Sequence, residues 1–253
     1  ILREANARAA GGADVMHLET GEPTTGAPDK VKAAAVAAIE NAHLGYTEAT
    51  GMRELRERIA RHYQDYYGLN VPVDRIMVTT GSSGGLLLTF IAAFDAGDRV
   101  ALADPGYPAY RNMLRSLDIV PVTLPSTIED RYQPTVEMLE ALDEPVDGLI
   151  IASPANPTGT MLHADDMAPL IDYCERQRIR IISDEVYHGI TFGERAVSAL
   201  SFTESAVISN GFSKYYAMTG WRLGWMVFPE DLIRPAERLA QNLFVSPPAL
   251  SQY

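Results

Sequence analysis

Six short segments of the 253-residue chain combine residue types able to hold an anion, a reactive amine and a flat ring. Lys214 and Arg222 stand eight positions apart in Gly211-Phe212-Ser213-Lys214 and Gly220-Trp221-Arg222-Leu223-Gly224. A lysine near an arginine suits an amine nucleophile beside a phosphate, since a guanidinium binds phosphate oxygens in pairs. Taken singly, each is more often a surface cation. Gly81-Ser82-Ser83-Gly84-Gly85 precedes an apolar helical run. Small residues there let backbone N–H groups approach an anion, and a helix N-terminus adds about half a positive charge. A tight turn with a serine cap is an equally good reading, and neither a P-loop nor a GxGxxG fingerprint is present. In Asp104-Pro105-Gly106-Tyr107-Pro108-Ala109-Tyr110, Tyr107 is placed to stack on a flat ring or simply to pack in a turn. Asn156 is held between Pro154 and Pro157, with its amide free for a ligand or for a proline-rich turn. Asp184 ends an apolar run and is followed by Tyr187. An acid there is costly to bury unless it meets a cation; a helix cap is the commoner use.

Five of these segments directly follow a short apolar or β-branched run, and 220–224 comes soon after the fifth. The runs are 75–80, 99–103, 119–123, 148–152, 178–183 and 206–210. Helix-sized segments separate most of them, notably 82–94, 135–142 and 165–176. Two more helices are expected upstream, 29–41 after Pro28 and 51–67 closed by Gly68, and the first ten residues also look helical. Strands alternating with helices predict an α/β fold, a mostly parallel sheet covered on both faces. In such sheets ligands collect at the carboxyl ends of the strands, which is where the six segments fall.

Composition sets the outer limits. Lys and Arg total 21 and Asp and Glu 33, a net charge of −12, which argues against nucleic acid or an anionic membrane as the main partner. The longest apolar stretch, 86–94, is far short of the roughly twenty residues that span a bilayer. One cysteine, Cys174, fits a helix core in a reducing compartment, so a cytoplasmic location is expected. His17, His43, His62, His163 and His188 show no metal-binding spacing, and no metal site is expected. The stretch 51–63 reads as a solvated helix with i,i+4 ion pairs rather than a nucleic-acid patch.

Together the segments resemble the fold-type I pyridoxal-phosphate enzymes, in the class I/II aminotransferase branch that includes the aspartate, aromatic and alanine enzymes. The motifs are GEP (21–23), YTEATGMRELR (46–56), GSSGG (81–85), DPGYPAY (104–110), SPANPTG (153–159), SDEVY (183–187) and NGFSKYYAMTGWRLGW (210–225). They occur in the family's order and cover nearly the whole chain. The resemblance implies a three-layer α/β/α sandwich, with an N-terminal arm over 1–27 and a cofactor-binding large domain over 28–253. A C-terminal small domain is then expected beyond Tyr253. The implied cofactor is pyridoxal 5′-phosphate, joined as a Schiff base to Lys214. Asp184 would pair with the protonated pyridine nitrogen, Tyr187 and Asn156 would donate to the phenolic oxygen, and Tyr107 would stack on the ring. Ser82, Ser83 and Arg222 would hold the phosphate. Tyr46 would reach the phosphate of a partner subunit in a homodimer with shared active sites. Gly21 and Asn156 would contact substrate. Gly211 departs from the serine that many relatives carry three positions before the lysine.

The implied reaction is a ping-pong transfer of an amino group between an amino acid and a 2-oxo acid. A C–S β-lyase of the same fold, a ring-forming lyase and a non-catalytic ligand-sensing domain are the competing readings. The sensor is disfavoured by the charge and by the lack of a basic helical module in the chain.

Overall fold

The computed structural model describes all residues, Ile1–Tyr253. Leu2–Ala10 forms α1, which buries no residue, and an irregular segment follows it. Pro28 precedes α2, Asp29–Asn41, with its fixed φ set for a helix start. Arg53–Tyr67 forms α3 and ends where Gly68 adopts φ 74°, a left-handed conformation that glycine takes without strain. Ion pairs Arg53–Glu57 at 2.8 Å and Arg61–Asp65 at 3.5 Å line its exposed face, and Ile59 and Tyr63 face the core.

The core alternates from there on. Ile76–Thr79 is β1, Gly81–Ala93 is α4, Arg99–Asp104 is β2, Pro108–Ser116 is α5 and Val120–Pro125 is β3. Val136–Glu140 is α6, Gly148–Ala152 is β4, Ala164–Gln177 is α7, Arg180–Asp184 is β5 and Val207–Gly211 is β6. Gly224–Val227 is β7, and Glu230–Leu243 and Ala249–Gln252 are α8 and α9. The six expected strands are present, shifted at their ends by a residue or two. The strand β7 and the helices α5, α8 and α9 are additions.

One seven-stranded sheet runs in the order β1-β7-β6-β5-β4-β2-β3. Pairings among β2 to β6 are parallel, whereas β7 runs antiparallel to both β1 and β6. Because strand side chains alternate, the sheet feeds two separate cores. Ile76, Val78, Leu149, Ile151, Ile181 and Trp225 pack with α3 and α7. Met77, Val100, Leu102, Ile150, Ile182 and Met226 pack with α4, α5 and α8 on the other face. The result is the expected α/β/α sandwich. No helix is long and apolar enough to cross a membrane.

Candidate active site

The carboxyl edge of the sheet is built by the segments after β1, β2, β4, β5 and β6. The antiparallel β7 begins at that same edge, which brings Arg222 to it from the loop before Gly224. These segments and the stretch 19–22 line a cavity of about 400 Å³. Gly21, Ser82, Ser83, Tyr107, Asn156, Asp184, Tyr187, Lys214 and Arg222 all face it. Nine of the ten residues singled out in the sequence therefore converge. Tyr46 does not: it is 85% exposed and lies outside the cavity lining.

At the floor, Asp184 is 5% exposed and has no cationic partner within ion-pair distance. Its Oδ2 accepts the Tyr110 hydroxyl proton at 2.6 Å and its Oδ1 accepts the Val186 N–H at 3.2 Å. Burial pushes its carboxyl above the ordinary range, and those two hydrogen bonds pull the other way. A carboxylate so enclosed is stabilised most by a cation placed against it. The Tyr110 ring meets that of Tyr107 edge to face at 5.3 Å, so one short segment supplies both a wall and the tether on Asp184. Tyr110 belongs to the DPGYPAY motif, but its bond to a residue 74 positions away leaves no local signal in the sequence.

On one side, Asn156 donates from Nδ2 to the Tyr187 hydroxyl at 3.4 Å, joining the loops after β4 and β5. Burial and the nearby Asp184 raise the Tyr187 hydroxyl, so it stays protonated and able to donate. Lys214 reaches in from the loop after β6 and donates from Nζ to the Gly21 carbonyl at 2.6 Å. Its ammonium lies 5.8 Å from the centre of the Tyr187 ring. Burial lowers the Lys214 pKa, Glu22 opposes that and Arg222 adds to it. A lysine biased toward the neutral amine is the form that acts as nucleophile and base.

The remaining wall is cationic and made of backbone. Ser82 and Ser83 lie within the first turn of α4, whose cap, Thr80, makes no side-chain bond to the helix. The serine-cap reading is thus replaced by serines inside a helix whose first turn lines the cavity. Arg222 adopts φ 52° and donates from Nη1 to the Thr219 carbonyl at 3.0 Å. A Cβ on Gly81, itself at φ 76°, would stand 2.6 Å from Arg222 Nη2. Only glycine lets the guanidinium come this close to the helix start. Amide N–H groups, two hydroxyls and one arginine form a donor set for a phosphate.

The chain from 13 to 253 matches the family model described as aminotransferase class I and II. It is 48% identical over 241 residues to a valine–pyruvate aminotransferase of Mycobacterium tuberculosis, covering 94% of this chain and 62% of that protein. It is 36% identical to a (5-formylfuran-3-yl)methyl phosphate transaminase of Methanocaldococcus jannaschii, covering 96% and 63% of the two chains. Among solved structures, an aminotransferase from M. tuberculosis superposes with a TM-score of 0.95 at 47% identity, over 99% of this chain and 65% of that one. The aspartate aminotransferase of Thermus thermophilus with maleate gives 0.94 at 28% identity, over 99% and 66%. The chain spans somewhat under two thirds of the curated relatives' length, and with the family model matched over nearly all of it, the chain belongs to the class I and II aminotransferases.

Proposed function

We propose that the protein is a pyridoxal-phosphate-dependent aminotransferase that moves an amino group between an amino acid and a 2-oxo acid. The observation that carries this reading is one cavity holding a buried, cation-free Asp184, the Lys214 amine and the Ser82–Ser83–Arg222 anion cradle. That set fits pyridoxal phosphate: an acid for the pyridine nitrogen, an amine for the aldehyde and donors for a dianion. Bound there, the cofactor supplies an electrophilic carbon and a ring that takes up the electron pair released at the substrate Cα.

The residues of this chain do the rest. The Asp184 carboxylate keeps a proton on the pyridine nitrogen, which preserves the ring as an electron sink. Lys214, whose pKa burial lowers, would take the proton from the substrate Cα and deliver it to the cofactor's C4′ carbon, on the other side of the shared nitrogen. Tyr187 and Asn156 would donate to the phenolic oxygen, Tyr107 would stack on the ring, and Ser82, Ser83 and Arg222 would hold the phosphate. Gly21 and Asn156 would contact substrate. The sum is one amino acid and one 2-oxo acid exchanged for another pair.

The same reading assigns 1–27 to an arm and 28–253 to the large domain; the first buried residue along the chain is Ala27. It also assigns a homodimer. Tyr46, with the exposed Val36, Ile39 and Leu44, gives the N-terminal stretch an apolar outer face suited to a second subunit. A cytoplasmic location belongs to the reading and is supported by the buried, unpaired Cys174.

The test is a panel of amino acids and 2-oxo acids with the complete protein and pyridoxal phosphate. The name of the M. tuberculosis relative makes valine and pyruvate the first pair. Alanine formed from pyruvate, matched by the 2-oxo acid of valine, supports transfer. Ammonia and pyruvate released from cysteine instead would support a lyase, and ligand binding with no turnover a sensor.

A further inference from the structure

Behind the wall of the cavity formed by Asn156 and Tyr187 lies a buried polar group that the proposed chemistry does not use. His188, 6% exposed, sits directly after Tyr187 in the turn that leaves β5. Its backbone N–H donates to the Glu185 carbonyl at 2.9 Å, which closes that turn. Its Nε2 lies 2.9 Å from the Ser153 carbonyl, and its Nδ1 lies 2.7 Å from the Tyr67 hydroxyl at the end of α3. A carbonyl oxygen only accepts, so Nε2 carries the proton. Nδ1 is then the acceptor for the Tyr67 O–H, and the ring is neutral with a fixed tautomer. Burial holds it so, pushing the His188 pKa down to about 4.

Ser153 opens the Ser153-Pro154-Ala155-Asn156 loop, and its N–H donates to the Asp184 carbonyl at 3.3 Å. The ring of His188 therefore ties the Asn156 loop to the Tyr187 turn from the protein side. On the cavity side the same two segments meet only through the 3.4 Å contact from Asn156 Nδ2 to the Tyr187 hydroxyl. That contact is at the long end for a hydrogen bond. The tie through His188 is shorter and fully buried. Glu185 flanks it: its Oε1 accepts from Ser183, Ser198 and the Ala199 N–H, while its buried Oε2 has no hydrogen-bond partner and stands 3.6 Å from His188 Nδ1.

We propose that His188 is a positioning residue, whose Nε2–H to Ser153 bond, braced by Tyr67, sets the distance between the Asn156 amide and the Tyr187 hydroxyl. It touches neither cofactor nor substrate. Its effect is on how well two donors converge on one acceptor, and it rests on the reading that this acceptor is the phenolic oxygen of pyridoxal phosphate. Donors to that oxygen stabilise its ionised form. Losing their alignment raises the pH at which the bound cofactor's absorbance changes.

The test is that pH midpoint in the complete protein loaded with pyridoxal phosphate. His188→Ala is expected to raise it by about one unit, the size of one lost hydrogen bond to an ionised group. His188→Gln, which keeps a donor near the Nε2 position, is expected to restore it. Tyr67→Phe, which removes only the brace, is expected to shift it in the same direction by less. In an Asn156→Ala background, His188→Ala is expected to add nothing further. An unchanged midpoint in folded His188→Ala, or a shift that adds fully to that of Asn156→Ala, overturns the proposal. Where His188→Ala does not fold, an unchanged midpoint in Tyr67→Phe overturns it. Amide exchange over 153–160 in cofactor-free protein separates the two readings. A wild type that binds no pyridoxal phosphate refutes the proposed function. Exchange that is the same in wild type and His188→Ala refutes the tie itself.

Discussion

Gly224 is where the sheet and the proposed anion cradle touch, and replacing it by alanine displaces the cradle without removing any of its donors. Gly224 opens β7 and pairs with Thr79 on one side and Gly211 on the other. A Cβ there would lie 2.6 Å from the Ser82 nitrogen, 2.7 Å from the Gly81 carbonyl carbon and 2.9 Å from the Asn210 oxygen. All three are backbone atoms, so no side chain can swing aside; the first turn of α4 must move away from β7. Overpacking of this kind costs about 1–3 kcal/mol. For a chain of this size that is a fall in Tm of about 2–4 °C per kcal/mol. The shift also turns the Ser82 N–H, one of the proposed phosphate donors. Losing one hydrogen bond to a charged group costs about 1.5–3 kcal/mol, or roughly 10- to 150-fold in Kd. The assay is thermal unfolding with and without pyridoxal phosphate, plus a fluorescence titration with the cofactor. Gly220→Ala is the control, since a Cβ there meets nothing within 4 Å. A Gly224→Ala protein with the Tm and cofactor affinity of the control would show that the start of α4 is not held against β7 in this way. A lowered Tm with unchanged affinity would remove Ser82 N–H from the phosphate site.

Three other outcomes are expected. Gly211→Ser should fit, because its Cβ would be 3.5 Å from the Leu223 oxygen and 3.8 Å from the Ser82 Cβ, both ordinary contacts. It adds a hydroxyl beside Ser82, so the cofactor should be retained about fivefold longer on dialysis, a gain of about 1 kcal/mol. Asp184→Asn, which removes charge but keeps shape, should lower kcat by about 10²-fold or more while the protein stays folded, measured in the transfer assay. Glu185→Gln should change how stability depends on pH. Burial raises the Glu185 carboxyl from 4.5 to about 7 and lowers His188 from 6.5 to about 4. Between pH 4.5 and 6.5 the folded Glu185 holds more protons than the unfolded one, so its share of stability falls as pH rises. Folded His188 holds fewer, so its share rises, and the two oppose each other. With Glu185→Gln only the His188 share remains. Urea midpoints should then climb from pH 4.5 to 6.5, where wild type changes little.

How far the sequence reached depended on whether the deciding interaction was local. Runs such as 148–152 are apolar throughout because both faces of the sheet are covered, and their strand ends agree to within about two residues. The candidate site was legible for the same reason: a parallel sheet gathers the segments at its strand ends along one edge, where Asn156, Asp184 and Lys214 line one cavity. What escaped was set by long-range partners. Four residues of β7 gave too short a run, and only pairing with β1 and β6 makes them a strand. The helix α5 begins with Pro108 inside a motif that reads as a turn, although proline suits a first helical turn. The helix α8 carries an internal Pro235 and buries only Leu232, Ala236 and Ala240, so its apolar stripe is thin. The Tyr110–Asp184 bond and the Tyr67–His188–Ser153 chain join segments 74, 121 and 35 residues apart. No spacing rule points to such pairs. Tyr46 stands apart from all of these, exposed and outside the cavity lining.

The central claim is that the amine of Lys214, bonded here to the Gly21 carbonyl, is the group that engages pyridoxal phosphate. Borohydride reduction of the cofactor-loaded protein followed by peptide mapping tests it directly. One pyridoxyl group per chain is expected, on the peptide bearing Lys214, and none in Lys214→Ala. Label on Lys30 or Lys32, or undiminished label and turnover in Lys214→Ala, would contradict it.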